Sequence, residues 1–232
     1  MSARSMRACC MSELRRTRIK FCGLTRAEDV AEACALGVDA VGFVFAARSK
    51  RLVSSATAAD LRDGLQPFVD AVALFMGNPA DEVRAVIAAV RPTILQFHGD
   101  EDDAFCAGFG MPYLKAIAMG GDAAVDGAAL LRRYPRASGF LFDSNASGQA
   151  GGSGHTFDWS RIPGGFSKPY LLAGGLHPDN VFDAIRATGC WGVDVSSGIE
   201  AAPGIKDAAR MRRFVHDVLR ADVAETQSKQ RT

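Results

Sequence analysis

Short apolar-rich runs alternate along this chain with segments whose apolar residues recur at helical spacing. The first run, RIKFC (18–22), leads through the turn Gly23-Leu24-Thr25 into RAEDVAEACALG, an amphipathic segment that Gly37 stops. The same order repeats: DAVGFVF (39–45) with a basic loop and TAADLRDGL, DAVALFM (70–76) with NPADEVRAVIAAV, and TILQF (93–97) with GDEDDAFCAGF. It continues with PYLKAIA (112–118) and AVDGAALLRRY, then SGFLFD (138–143) with a glycine-rich loop and the weak helix DWSRI. PYLLAG (169–174) with HPDNVFDAIRATG and WGVDVS (191–196) with KDAARMRRFVHDVLR complete eight strand-helix units.

Strands that alternate with helices pair in parallel through right-handed crossovers. Several of these strands are almost continuously apolar, as expected where both faces are buried. Eight units within about 200 residues predict an α/β fold, a single (β/α)8 TIM barrel at the compact end of its size range. The rival, an open doubly wound sheet, usually binds a nucleotide through Gly-x-Gly-x-x-Gly after its first strand. FCGLTRAED is not that sequence.

Composition narrows the picture further. The 232 residues are 48% hydrophobic and 23% charged, with a net charge of +1, so no bulk field draws the chain to nucleic acid or to an anionic membrane. No apolar run is long enough to span a bilayer. Six cysteines without a Cys-x-x-Cys pair, in a chain too long for a small disulfide scaffold, predict reduced thiols and a cytoplasmic location. Residues 1–17, polar and basic with alternative starts at Met6 and Met11, are expected to be a flexible lead-in. Residues 18–221 form the barrel and 222–232 a fraying tail.

A barrel builds its active site from the C-terminal ends of its strands and the loops that follow. Cys22 ends strand one beside a glycine, so its sulfur faces the mouth, where a thiolate serves as base or nucleophile; Lys20, Arg26 or the first helix N-terminus would lower its pKa. The other reading, a buried structural cysteine, is assigned to Cys34, Cys106 and Cys190. Asp143 closes the run GFLF and is either an N-cap or a pocket carboxyl whose burial suits it to general acid work. Ser144, Asn145 and several glycines follow, so no regular helix begins there for it to cap. LLAGGLHPDN and VDVSSGIE place Gly174, Gly175, Ser196, Ser197 and Gly198 after strands seven and eight, where barrels commonly seat a phosphate on backbone N–H groups. The bland alternative is a tight turn with a serine cap. SGQAGGSGH after strand six adds flexible backbone, including Gly152 and Gly154. Arg48, Lys50 and Arg51 lie on the mouth side, solvent-facing or holding an anion. His98 is a hydrogen-bonding pocket residue, and Asp194 a structural acceptor for backbone beneath the phosphate loop. Neither His98 nor His177 has acidic or histidine partners at ligand spacing, so no metal is expected.

With these residues in view, KFCGLTRAEDVAEACALGVDAVGFVFAARSKRLV, ILQFHGDE, LFDSNASGQAGGSGHTFDW, LLAGGLHPDNV and GVDVSSGIEAAPGIKD are recognisable in that order. Over roughly residues 18–220 the chain resembles the N-(5′-phosphoribosyl)anthranilate isomerase family of tryptophan biosynthesis. The resemblance implies an Amadori rearrangement of a phosphoribosyl anthranilate, with no metal or organic cofactor and a small phosphosugar substrate, in a monomer or homodimer. It implies Cys22 as general base, Asp143 as general acid, Arg51 as partner of the anthranilate carboxylate, and Gly152, Gly154, Gly174, Gly175, Ser196, Ser197 and Gly198 as the phosphate cradle. Phe97, His155 and His177 stand where the family commonly has leucine, a small residue and asparagine, which touches only the shape of that cradle. Two rivals stay open. The sister isomerase of histidine biosynthesis carries an aspartate at the position of Cys22 and two half-barrel phosphate motifs, and FHGDE after strand four offers no second cradle. A silent phosphosugar-binding barrel would keep the glycines but lose the acid or base.

Overall fold

The computed structural model describes residues 16–120, 125–144 and 158–229. Eight parallel strands close in sequence order into a barrel: β1 (Arg18–Cys22), β2 (Ala40–Val44), β3 (Asp70–Phe75), β4 (Ile94–Phe97), β5 (Tyr113–Ala118), β6 (Gly139–Asp143), β7 (Tyr170–Leu172) and β8 (Gly192–Val195). Each lies within the run that the apolar pattern marks. The seam closes between β1 and β8, with Lys20 opposite Asp194 and Phe21 opposite Val195.

The intervening helices are α1 (Ala27–Ala35), α2 (Ser55–Asp63), α3 (Ala80–Val90), α4 (Asp103–Ala107), α5 (Gly127–Arg133), α6 (Val181–Thr188) and α7 (Ala208–Lys229). Local chemistry starts several of them: Ser54 accepts from the Thr57 N–H, Asp102 from Phe105, and Asp126 from Ala128 and Ala129. Each satisfies donors that a helix start leaves unpaired. The weak sixth helix is a single 3-10 turn, Trp159–Arg161.

Because side chains alternate along a strand, the barrel has two cores. Residues such as Phe21, Phe43, Phe75, Phe97 and Phe140 point outward and pack under Val83, Ile185 and Phe214 of the helices. The inward set is smaller and splits into a cluster around Cys22, Val44 and Leu74 and another around Ala116, Leu141 and Leu171. Cys34 and Cys190 join the outer core, as does Cys106, whose thiol burial pushes up to about 12.

Three features depart from the sequence reading. After β8 the chain makes a two-stranded antiparallel hairpin, β9 (Glu200–Ala202) and β10 (Ile205–Lys206), around Gly204 with φ +81°. The final helix also runs to Lys229, past residue 221, since no glycine or proline interrupts it. Asp222 on that helix accepts from the Thr17 N–H (3.0 Å) and hydroxyl (2.6 Å), so buried Thr17 belongs to the barrel and not to a loose lead-in. A chain ending at Ala221 loses this clamp and strands a buried N–H and hydroxyl. We expect it to unfold with about 1–3 kcal/mol less stability than the full chain in urea titrations; equal midpoints would show that the clamp contributes nothing.

Candidate active site

A cavity of about 570 Å³ opens at the C-terminal ends of the strands, a size suited to a small-molecule ligand. Its wall includes Cys22, Arg51, His98, Asp143, Gly174 and Ser196, contributed by six different strand ends and their loops. The loops on the β2 to β4 side are tied to one another. Asn78 Nδ2 donates to the Phe45 carbonyl (3.1 Å), while Glu101 accepts from the Gly77 and Gly99 N–H groups and from Lys115.

Cys22 is buried at the inner rim, above a buried ion pair: Lys20 Nζ donates to Asp194 Oδ1 at 2.7 Å. Burial pulls the Lys20 ammonium down, but Asp194 and the cysteine more than offset it and hold it above the ordinary lysine value. Burial pushes the Cys22 thiol up; Lys20 and Lys206 pull the other way without cancelling it. Room for this group comes from the neighbouring strand. A Cβ on Gly42 would stand 2.9 Å from Cys22 Sγ and 3.3 Å from Lys20 Nζ, so only glycine leaves both atoms in place.

Asp143 ends β6, buried, with Oδ2 3.3 Å from His98 Nε2 at the end of β4. Arg51, in the loop after β2, turns inward and grips Glu200 of the hairpin with Nε and Nη2, both at 2.7 Å. Lys206, on the other hairpin strand, donates to Glu200 (2.9 Å), to the Cys22 carbonyl (2.7 Å) and to the Ser196 carbonyl (3.1 Å). Burial would push the Glu200 carboxyl up, but Arg51 and Lys206 outweigh it and hold it below the usual range. These bonds to Glu200 hold the Arg51 guanidinium high in turn.

At the far end, Gly174 and Gly175 adopt φ +79° and +63°, and with Ser196 and Ser197 they line the cavity. Gly174 lies against Ser144, and Gly198 against the Leu176 carbonyl, so closely that a side chain at either would collide. Ser196 makes no side-chain capping bond to the 3-10 turn Ser197–Ile199.

The model of the family described as N-(5′-phosphoribosyl)anthranilate (PRA) isomerase matches residues 19–217. The chain belongs to that family. It is 62% identical over 207 residues, 89% of its own length and 95% of the relative's, to an N-(5′-phosphoribosyl)anthranilate isomerase of Stenotrophomonas maltophilia (strain R551-3). Its fold is similar to phosphoribosyl anthranilate isomerase from Thermus thermophilus, with a TM-score of 0.78, 31% identity, and 88% and 99% of the two chains covered. A further isomerase, solved in complex with reduced 1-(o-carboxyphenylamino)-1-deoxyribulose 5-phosphate, is similar with a TM-score of 0.70 and 31% identity, over 88% and 98% of the chains.

Within this isomerase family member, Cys22, Arg51, His98, Asp143, Gly174, Gly175, Ser196 and Ser197 meet at one cavity. Lys20 does not reach it; a long side chain pointing inward from mid-strand ends beneath Cys22, paired with Asp194. Asp194 accordingly takes an ammonium where backbone donors were expected. Gly198 is packing behind the wall, and Lys50 is exposed away from it. Arg26 is taken by Asp29 and Glu28, not by the thiol. Gly152 and Gly154 lie outside the described residues. Sequence reasoning passed over Glu200 and Lys206; the Pro203-Gly204 turn between them was the available signal for a hairpin. Among the described residues no group of three or more His, Cys, Asp or Glu side chains is arranged to hold a metal ion, and no helix is long and apolar enough to cross a membrane.

Two measurements follow from these contacts. Alkylation of Cys22 by iodoacetamide, read by peptide mass spectrometry, should rise with pH to a midpoint above the ordinary thiol value of about 8.5. Lys20→Met should move that midpoint higher, because it removes the ammonium and bares Asp194; a midpoint at or below 8.5 would contradict the burial argument. Glu200→Gln should cost about 3–5 kcal/mol in urea at neutral pH, the loss expected when one partner of a buried pair is removed. Since the folded carboxyl is depressed, that difference is present above the unfolded value of about 4.3 and shrinks as pH falls through the folded one.

Proposed function

We propose that the chain catalyses the Amadori rearrangement of N-(5-phospho-β-D-ribosyl)anthranilate to 1-(2-carboxyphenylamino)-1-deoxyribulose 5-phosphate, an isomerisation in tryptophan biosynthesis. The observation that carries this is the sharing of one cavity by a thiol, a carboxyl and a glycine- and serine-lined anion end, Cys22, Asp143 and Gly174 to Ser197, in a member of this isomerase family.

Asp143 protonates the furanose ring oxygen as the anomeric carbon–oxygen bond breaks and the anilino nitrogen lone pair forms the Schiff base. Cys22, as thiolate, removes the C2′ proton, and the electrons move to the nitrogen to give an enolamine. That enolamine tautomerises to the ketone, and both groups exchange protons with water to return to their starting forms. No oxidant or cofactor enters, because the sugar is both oxidised at C2′ and reduced at C1′. The low-lying ammonium groups of Lys20 and Lys206 favour the thiolate that this step needs, against the desolvation that opposes it.

Arg51 pairs with the anthranilate carboxylate, its guanidinium oriented by Glu200 before substrate arrives. The phosphate rests on backbone N–H groups around Gly174, Gly175, Ser196 and Ser197, with Gly152 and Gly154 as further members of the cradle. The left-handed φ of Gly174 and Gly175 supports this, since it lets the backbone come close to an anion. We read the partner as this small phosphosugar alone, with no nucleic acid or membrane, in a cytoplasmic monomer or homodimer.

The deciding experiment follows the fluorescence of freshly generated phosphoribosylanthranilate on adding the purified chain. We expect fast decay with the wild type, none with Asp143→Asn, and a kcat at least about 100-fold lower with Cys22→Ser at smaller cost in KM. No decay with correctly folded wild type would sink the isomerase reading and leave a phosphosugar-binding barrel.

A further inference from the structure

His98 approaches the proposed acid, and one buried residue approaches His98. Gln96 lies two positions back on β4, its side chain inside the barrel and wholly buried, with Leu74 and Leu114 as its strand partners. A primary amide in a leucine-lined interior is unfavourable unless it bonds to something. Among the described residues its side chain has one partner, the His98 ring: Gln96 Nε2 stands 3.5 Å from His98 Nδ1, while Gln96 Oε1 is buried without a bond. As placed, the nitrogen side of the amide meets the ring, so Nδ1 is the acceptor in this contact.

We propose that Gln96 is a positioning residue that selects the His98 tautomer, and through it directs the proton of Asp143. The proposal rests on the reading of Asp143 as general acid. A neutral imidazole carries its proton on one nitrogen, and the bond at the other decides which. Donation from Gln96 makes Nδ1 the acceptor and leaves the proton on Nε2, which faces Asp143 Oδ2 at 3.3 Å. Oδ2 is then the carbonyl oxygen of the protonated acid, and the transferable proton sits on Oδ1. When Oδ1 gives that proton to the substrate, the charge that develops on the carboxylate is stabilised by the Nε2–H 3.3 Å from Oδ2. In the opposite tautomer Nε2 is a bare lone pair. It would hold the acid proton on Oδ2, in a bond to the ring and away from the substrate.

The test reads the ring directly. Long-range proton–nitrogen NMR of the full, uniformly labelled chain at about pH 8.5, above the usual imidazole range, reports which nitrogen of each histidine is protonated. His98→Asn identifies the His98 signal by its loss. We expect wild-type His98 with the proton on Nε2, and Gln96→Met, which keeps the volume but removes the donor, to move it wholly or partly to Nδ1. The same variant should lower kcat about tenfold or more with KM within about twofold, because the defect lies in proton transfer and not in holding substrate. A wild-type ring protonated on Nδ1 would overturn the proposal without any variant having to fold. So would a Gln96→Met protein whose tautomer matches the wild type, even if slow, since Gln96 would then be structural. The spectrum needs no turnover: an inactive wild type would overturn the reading of the site, while the ring tautomer still upheld or refuted what Gln96 does to His98.

Discussion

The Lys20–Asp194 ion pair sits at the seam where the barrel closes, and much of the site depends on it. The two residues are opposite one another on β1 and β8, and their side chains meet in the interior at 2.7 Å. Buried as they are, neither charge is tolerable alone, so a slip of one residue at the seam would leave each without its partner. Cys22 lies directly above, where the ammonium offsets part of the penalty that burial places on a thiolate. One interaction therefore holds the register of the closing strands and the electrostatics of the Cys22 sulfur.

The hairpin after β8 adds a second tie across the same seam. Lys206 reaches from it to the carbonyls of Cys22 and Ser196, joining the ends of β1 and β8, while Glu200 collects Arg51 from the loop after β2. The carboxyl that stabilises Arg51 is thus also bonded to the lysine that braces the thiol strand. Packing continues the theme at the glycine- and serine-lined end of the cavity. Gly174 against Ser144 and Gly198 against the Leu176 carbonyl bring the ends of β6, β7 and β8 into contact that no side chain could share. The backbone there is held by close neighbours, the preorganisation on which the proposed phosphate site relies.

Hydrophobic periodicity determined the elements of this protein: all eight strands fall where the apolar runs lie, and the order of strand and helix leaves a parallel closed sheet as the economical arrangement. The strand ends then named Cys22, Arg51, His98, Asp143 and the Gly174 and Ser196 turns, because in a barrel position along the chain translates into position at the mouth. Tertiary structure alone decided how those residues are partnered. Lys20 meets Asp194 across 174 positions of sequence and Arg51 meets Glu200 across 149. No local pattern encodes such pairings, since they arise from closing the sheet and folding the hairpin back over it. The same holds for Gln96 beneath His98: alternation puts both on the inner face, but only the closed interior deprives the amide of water and leaves it the imidazole to bond. Local patterning sets which way a side chain points, and burial with its demand for paired charges and satisfied donors sets what it must touch.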